Sequence, residues 1–307
     1  MLALDCRTCG AALDIAPDQR TGKCIYCASP AVVERPPSPD RPNPSFALGF
    51  VVTEERALDV ARRWVRGSSL FAPTAFRQAK VEDIRGIYVP AYLYSAVAHS
   101  SYQASIGENY TVTETYTTTD SQGRTVTRTR TRTETEWRSL SGRHASFVSD
   151  YVVTASRGLS NPELEAIEPF DLRALHRYGT TLVSGWATEE PSVAEAQCMA
   201  MARQETLEGI GRELSSFMPG DKHSDLRYET QLSNEDLELL LLPVWVLPVR
   251  YADDAPMVRL LVNGQTGEVS GKAPVSKLKV TLAILAAVLP ILACIAFVIG
   301  AILLEGR

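Results

Sequence analysis

The sequence predicts an α+β fold: a four-Cys ribbon at the N-terminus, then a helix-plus-antiparallel-sheet domain, then a single apolar C-terminal helix. Three observations carry this expectation. Cys6, Cys9, Cys24 and Cys27 form two Cys-x2-Cys pairs inside the first thirty residues. Strand-like runs alternate with helical patterns from residue 46 to residue 272. Val280 to Leu304 is uncharged and almost wholly apolar.

Composition bounds the answer before any motif does. The chain has 307 residues, 45% hydrophobic and 22% charged, which suits two or three folded units and excludes wholesale disorder. The formal net charge is −5, so the chain is a poor generic polyanion binder. The cysteines are clustered rather than spread through a domain, and no secretory signal precedes Cys6. Both point to a reducing compartment.

The elements follow in order. Residues 1–30 form the cysteine module. Residues 31–45 hold Pro36, Pro37, Pro39, Pro42 and Pro44, which forbid helix and favour an extended spacer. The main unit spans 46–272. Thr53 is placed to cap a helix with Glu54 and Glu55 in its first turn, apolar Ala57, Leu58, Ala61, Trp64 and Val65 at helical spacing, and Gly67 at its end. A strand runs from Gly86 to about Gly107. Residues 110–136 read as a hairpin with a Ser121-Gln122-Gly123 turn, in which paired residue numbers sum to 244. That register sets Glu114 against Arg130, Tyr116 against Arg128 and Val112 against Arg132, with threonines on the opposite face. With hydroxyls on one face and charge on the other, neither can be deeply buried.

Two helical pieces flank Pro169, and a long helix is expected from about Glu190 to Phe217 with Pro191 in its first turn. Glu189 and Glu190 read as solvated charges at that helix start. Leu239–Tyr251 reads as a buried strand, and 257–262 with 268–270 as a hairpin across Asn263–Gly267. Val89-Pro90-Ala91-Tyr92-Leu93 resembles Leu242-Pro243-Val244-Trp245-Val246, which raises the prospect of two pseudo-repeats.

The cysteines carry the clearest chemistry. Two Cys-x2-Cys knuckles separated by 14 residues let four thiolates close tetrahedrally around one structural Zn²⁺. Gly10 sits where the first knuckle needs a tight turn. A unit this small has no adequate core, so the metal would supply its folding energy. Iron in the same site, or two redox-active pairs, are the alternatives. The module is neutral, with Tyr26 its lone aromatic, which suits a structural or protein-contacting role better than nucleic-acid binding.

The apolar run over 280–304 would reach about 37 Å as a helix, against a bilayer core of about 30 Å. Lys272, Lys277 and Lys279 precede it, and the positive-inside rule then sets the bulk of the chain on the cytoplasmic side of the inner membrane, as a tail-anchored single-pass protein. No phosphate-binding loop, nucleophile elbow or metal-spaced histidine set occurs, and no small-molecule substrate is indicated. Arg128, Arg130 and Arg132 form a stripe on the hairpin, but acidic residues between 106 and 138 balance the arginines there. The hairpin reads first as a salt-bridged, solvated element, then as a candidate protein-contact surface, and last as a nucleic-acid site.

The layout resembles a bacterial family of C-terminally membrane-anchored zinc-ribbon proteins. The four cysteines, Tyr-Val-Pro-Ala-Tyr at 88–92, Leu-Pro-Val-Trp at 242–245, Val262–Gly267 and the lysine-flanked apolar tail carry the resemblance. Arg7, Ile25 and Ala28 depart from the Cys-Pro-x-Cys-Gly knuckles usual there and leave the ligand set intact. Some members look like the zinc-ribbon partner of PspA-like and SPFH (flotillin-like) proteins in membrane-stress systems. The resemblance implies a non-enzymatic adaptor that recruits or organises proteins at the cytoplasmic face of the membrane. A membrane-tethered nucleic-acid-binding protein is the alternative.

Overall fold

Long uninterrupted β-forming runs make long strands, and here strands are the largest part of the regular structure. The computed structural model describes residues 2–15, 24–26, 32–34, 42–81, 83–119, 123–252 and 255–305. The strands are β1 (Leu2–Cys6), β2 (Ala12–Ile15), β3 (Val32–Glu34), β4 (Phe46–Ala47), β5 (Arg85–Thr119), β6 (Thr125–Thr154), β7 (His176–Arg177), β8 (Ala187–Glu189), β9 (Lys222–Val249), β10 (Val258–Asn263) and β11 (Val269–Gly271). The helices are α1 (Glu54–Arg66), α2 (Thr74–Arg77), α3 (Asn161–Glu165), α4 (Thr180–Val183), α5 (Glu195–Phe217) and α6 (Lys277–Glu305). The strands form one 11-stranded sheet in the order β11-β10-β9-β5-β8-β2-β1-β3, with β6 on β5 and β4 joining β7 to β9. The sheet is mixed, because β4 runs parallel to β9 and β5 parallel to β8.

The chain divides into two compact units, one of residues 1–91, 154–194 and 239–307, the other of residues 92–153 and 195–238. In the first unit the end of β9 is buried without a break from Leu239 to Leu247. Strands covered on both faces read as continuous apolar runs rather than alternating ones. β10 pairs with this segment from Val258↔Val249 to Asn263↔Val244. Helix α1 is capped by Thr53, whose hydroxyl accepts from the Arg56 N–H, and it buries Ala57, Ala61 and Val65. Trp245 donates its indole N–H to the Val52 carbonyl at 2.9 Å. Phe50 stacks on Trp186 at 4.1 Å and meets Trp245 edge-on at 4.9 Å. Gly86 makes room for this cluster: a Cβ there would stand 2.3 Å from the Trp186 ring.

In the second unit β5 alternates. Tyr94, Ala96, Ala98, Ser100, Tyr102, Ala104 and Ile106 are buried, while the residues between them are more exposed. Helix α5 buries Cys198, Ala202, Thr206, Ile210 and Leu214, one residue per turn along a single stripe. Glu235 ties β9 to both elements, accepting from Tyr94 at 2.6 Å and from Arg203 at 2.6 and 3.0 Å.

Several expectations need correction. The expected separate zinc ribbon, helix-plus-sheet domain with two pseudo-repeats, and single transmembrane helix do not describe this architecture, which is a large mixed sheet with few helices. Among the described residues the cysteine module does not stand alone, because β2 adds to the sheet through Leu13↔Glu189 and Asp14↔Thr188. The physical reason is burial: Ala11 and Leu13 are fully buried, which a four-cysteine module alone could not provide. Among the described residues no helix is long and apolar enough to cross a membrane. A crossing needs about 20 consecutive apolar residues. This overturns the tail-anchored, single-pass reading of 280–304 and the inner-membrane localisation drawn from it. Helix α5 starts at Glu195 rather than Glu190, because the Ser192 and Val193 N–H groups are taken by the Ala155 carbonyl. Cys27, Pro36, Pro37, Pro39, Ser121 and Gln122 lie outside the described residues.

Asn263 organises the β10–β11 turn. It is fully buried, donates to the carbonyls of Ile167 at 2.8 Å and Pro169 at 3.1 Å, and accepts from the N–H groups of Gln265 and Thr266. An Asn263→Ala substitution strands these groups in a dry interior. The expected cost is about 2–3 kcal/mol, read as a lowered denaturant midpoint at unchanged slope.

Candidate metal centre

The site is built from two short backbone turns. At the first, the Gly10 N–H donates to the Cys6 carbonyl at 2.8 Å and the Cys6 N–H donates to the Ala11 carbonyl at 2.9 Å. Gly10 has φ 78°, a left-handed conformation that side chains other than glycine rarely adopt. This loop folds Cys9 back beside Cys6. The second turn, residues 24–26, brings Cys24 to the same place. The three sulfurs lie within 4.8 Å of one another, and Cys9 Sγ stands 3.6 Å from Cys24 Sγ. Thiolates on one tetrahedral zinc, at about 2.3 Å each, are separated by about 3.8 Å. The donor set therefore fits a soft, thiolate-preferring ion. Cys6 and Cys24 are buried. Hydrogen bonding with Cys24, and then burial, push the Cys9 thiol up. Crowded thiols of this kind ionise when a divalent cation binds among them.

The turn that holds Cys24 also carries Tyr26 into a buried polar network. Tyr26 and Glu189 are 0% and 1% exposed, and the Tyr26 hydroxyl donates to Glu189 Oε2. Ser156 donates its hydroxyl to the same carboxyl group at 2.7 Å. Burial pushes the Glu189 carboxyl up to about 7, against the opposing hydrogen bonds from Tyr26 and Ser156. Burial, and then the charge of Glu189, push the Tyr26 phenol up. The Arg259 guanidinium stands over the Tyr26 ring, 5.6 Å from its centroid. It donates to the Gly158 carbonyl and to Glu163 Oε1, each at 2.6 Å.

The sequence brought three of the four proposed ligands to one place, and Cys27 lies outside the described residues. It missed the network around Tyr26. Glu189 and Glu190 were expected to be solvated, yet Glu190 is 5% exposed and donates its backbone N–H to the Ala12 carbonyl at 2.9 Å. The one available signal was an aromatic residue inside a module that otherwise lacks them.

The other candidate residues lie apart from the thiols in the sequence and serve other contacts. Lys279 donates its ammonium to the carbonyls of Ala72 at 2.7 Å and Leu70 at 3.3 Å, so it ties α6 to a loop. Lys272 and Lys277 are exposed. On the β5–β6 arm Arg130 donates to Glu114 at 2.9 and 3.0 Å, the expected pair, Tyr110 to Glu134 at 2.7 Å, and Thr135 to Asn109 at 2.8 Å. Arg132 bridges Glu114 at 3.0 Å and Glu134 at 2.5 Å. Arg128 is exposed, and the odd-numbered threonines from Thr111 to Thr119 and from Thr125 to Thr133 are exposed on the opposite face. Exposed pairs of this kind stabilise by about 0–1 kcal/mol each, so they shape a surface more than they hold a fold.

No protein-family model matches the chain, and no solved structure matches it. A curated relative is the uncharacterized protein YdjG of Bacillus subtilis (strain 168), 23% identical over 249 residues, a match covering 77% of this chain and 65% of that protein. The chain thus spans just under two thirds of that relative's length.

The raised carboxyl predicts a pH dependence. Native Glu189 holds its proton up to about pH 7, whereas the unfolded chain releases it near the ordinary carboxyl value of 4.5. The native state therefore binds more protons between these values, and stability falls as pH rises through them. Its contribution is complete below pH 4.5 and gone above pH 7. At about 1.4 kcal/mol per pH unit, wild type should lose about 3 kcal/mol across that window relative to Glu189→Gln. Parallel denaturant titrations of the two proteins check this, and identical pH profiles would refute it.

Proposed function

We propose that the chain is a non-enzymatic interaction protein, stabilised by one structural zinc ion on Cys6, Cys9, Cys24 and Cys27, that presents the β5–β6 arm to a protein partner. The observation that carries this reading is the convergence of three thiols within 4.8 Å of one another. Cys27 completes the set by its spacing from Cys24. Four thiolates leave no coordination position for a substrate, so such an ion holds structure rather than performing chemistry. The carboxyl shifted into the neutral range is equally closed off. Glu189 is 1% exposed and its oxygens are engaged by Tyr26 and Ser156.

The arm supports the interaction half of the reading. Both its faces are solvated, one lined with threonine hydroxyls and methyls, the other with Arg128, Arg130, Arg132 and their acidic partners. The pairing of Arg130 and Arg132 with Glu114 and Glu134 leaves little net positive charge to grip a phosphate backbone. By resemblance, a PspA-like or SPFH-type protein is the partner to test first.

Two measurements check the proposal. Elemental analysis of the purified chain should find one zinc per chain, and Cys9→Ser should lose it. Affinity capture from native extract should recover a protein partner whether or not nuclease is added. A charge-reversed arm, with Arg128, Arg130 and Arg132 all changed to Glu, should lose that partner while keeping its zinc. Recovery that depends on nucleic acid, or robust turnover of a substrate by the purified chain, would overturn the reading.

A further inference from the structure

The turn that supplies Cys24 also supplies Tyr26, and it is buried throughout: Cys24 and Tyr26 are 0% exposed and Ile25 is 4% exposed. Tyr26 reaches away from the thiols into the sheet. Its ring packs on the backbone of Gly158, where an added Cβ would come within 2.8 Å of both the ring and the Ala11 Cβ. Its hydroxyl meets Glu189, the last residue of β8, and Leu13 of β2 pairs with that same residue. Ser156 closes the other side of the carboxyl, and its own hydroxyl also accepts from the Leu159 N–H at 2.9 Å. One side chain therefore touches the thiol turn, the 156–159 turn and the end of β8.

We propose that Tyr26 is a positioning residue that couples occupancy of the thiol centre to the order of β8 and the 156–159 turn. This role presupposes the zinc site proposed above. Zinc on the thiols fixes the 24–26 turn and so holds the phenol on Glu189. When the ion leaves, a turn this small loses the energy that ordered it. The phenol then withdraws, and Glu189 remains in a dry interior with a donor missing. Such a carboxyl is relieved when β8 parts from β2 and admits water. The coupling is reciprocal, as any equilibrium linkage must be: an intact Tyr26–Glu189 bond preorganises Cys24 and tightens the site. Partners one shell out from a metal commonly change its affinity by about 10–100-fold.

The test uses the full chain as wild type, Tyr26→Phe, Glu189→Gln and Cys9→Ser. Zinc affinity is measured by competition with a chromophoric chelator, Co²⁺ substitution reports the ligand set, and amide hydrogen exchange reports order at 155–159 and 187–190. Tyr26→Phe should bind zinc about 10–100-fold more weakly. Its Co²⁺ spectrum should keep the tetrahedral thiolate bands, since no ligand is lost. Chelation should accelerate exchange in both segments of wild type by about 10-fold or more. Tyr26→Phe should show that faster exchange even when loaded with zinc, and Cys9→Ser should show it without chelator. Glu189→Gln keeps an acceptor for the phenol and should fall between, and it carries the same comparison if Tyr26→Phe does not fold. A zinc-binding wild type whose two segments ignore chelation, or a Tyr26→Phe protein with wild-type affinity, overturns the coupling alone. A wild type that binds no zinc overturns the metal site and the coupling with it.

Discussion

Residues 239–247 have no solvated face, and a strand buried in that way must satisfy every backbone donor and acceptor inside the protein. That requirement organises the first unit. β10 takes one edge of the segment, and β4 lies parallel on it through Phe46↔Leu240 and Ala47↔Leu241. The faces are covered by apolar side chains, including α1 through Ala57, Ala61 and Val65. Pro243 in this segment has no N–H to donate, but its carbonyl still accepts from the Gly264 N–H at 2.9 Å. The Asn263 side chain then settles the turn that follows, since its four hydrogen bonds replace water that cannot enter.

The same accounting explains the polar groups that are buried. Glu189 is a costly residue to hold in a dry sheet, and it is held there by a phenol and a hydroxyl from two other parts of the chain. Its carboxyl answers by moving up to about 7. A raised carboxyl in a cleft would raise the prospect of acid–base chemistry. Here it lies in a closed network that Tyr26 joins to the thiol turn, and a structural coupling uses all of its neighbours. The thiols and the carboxyl therefore form one construction: the sulfurs hold a turn, the turn holds a phenol, and the phenol satisfies the sheet.

The β5–β6 arm follows opposite physics. It is ordered by cross-strand hydrogen bonds and exposed ion pairs rather than by burial, and the odd-numbered threonines from Thr111 to Thr119 and from Thr125 to Thr133 are exposed. A two-stranded ribbon of this kind contributes little to stability. Its regularity is better understood as the presentation of a surface, which is the basis for assigning it the partner-binding role.

Local patterns were legible wherever neighbours in sequence decide the structure. Thr53 and Gly67 bounded α1 because caps act within a turn of the chain. The two faces of the arm followed from its alternating threonines, since a strand's side chains alternate with period two. The knuckle cysteines declared themselves by spacing. The start of α5 was misplaced because the backbone of Ser192 and Val193 is claimed by Ala155, well away in sequence. The cysteine module was expected to stand alone because nothing in its own thirty residues records that β2 will pair with β8. Apolar content alone made residues 280–304 look like a membrane span, and among the described residues no helix has the length and apolarity to cross one. Spacing and alternation by themselves marked Cys6, Cys9 and Cys24 as a group and residues 110–136 as an arm, whereas the large mixed sheet was not legible in them. Only the tertiary structure decided that Glu189 is buried against Tyr26, because the two are 163 residues apart and only sheet pairing brings a carboxylate and a phenol so distant in sequence into one dry space.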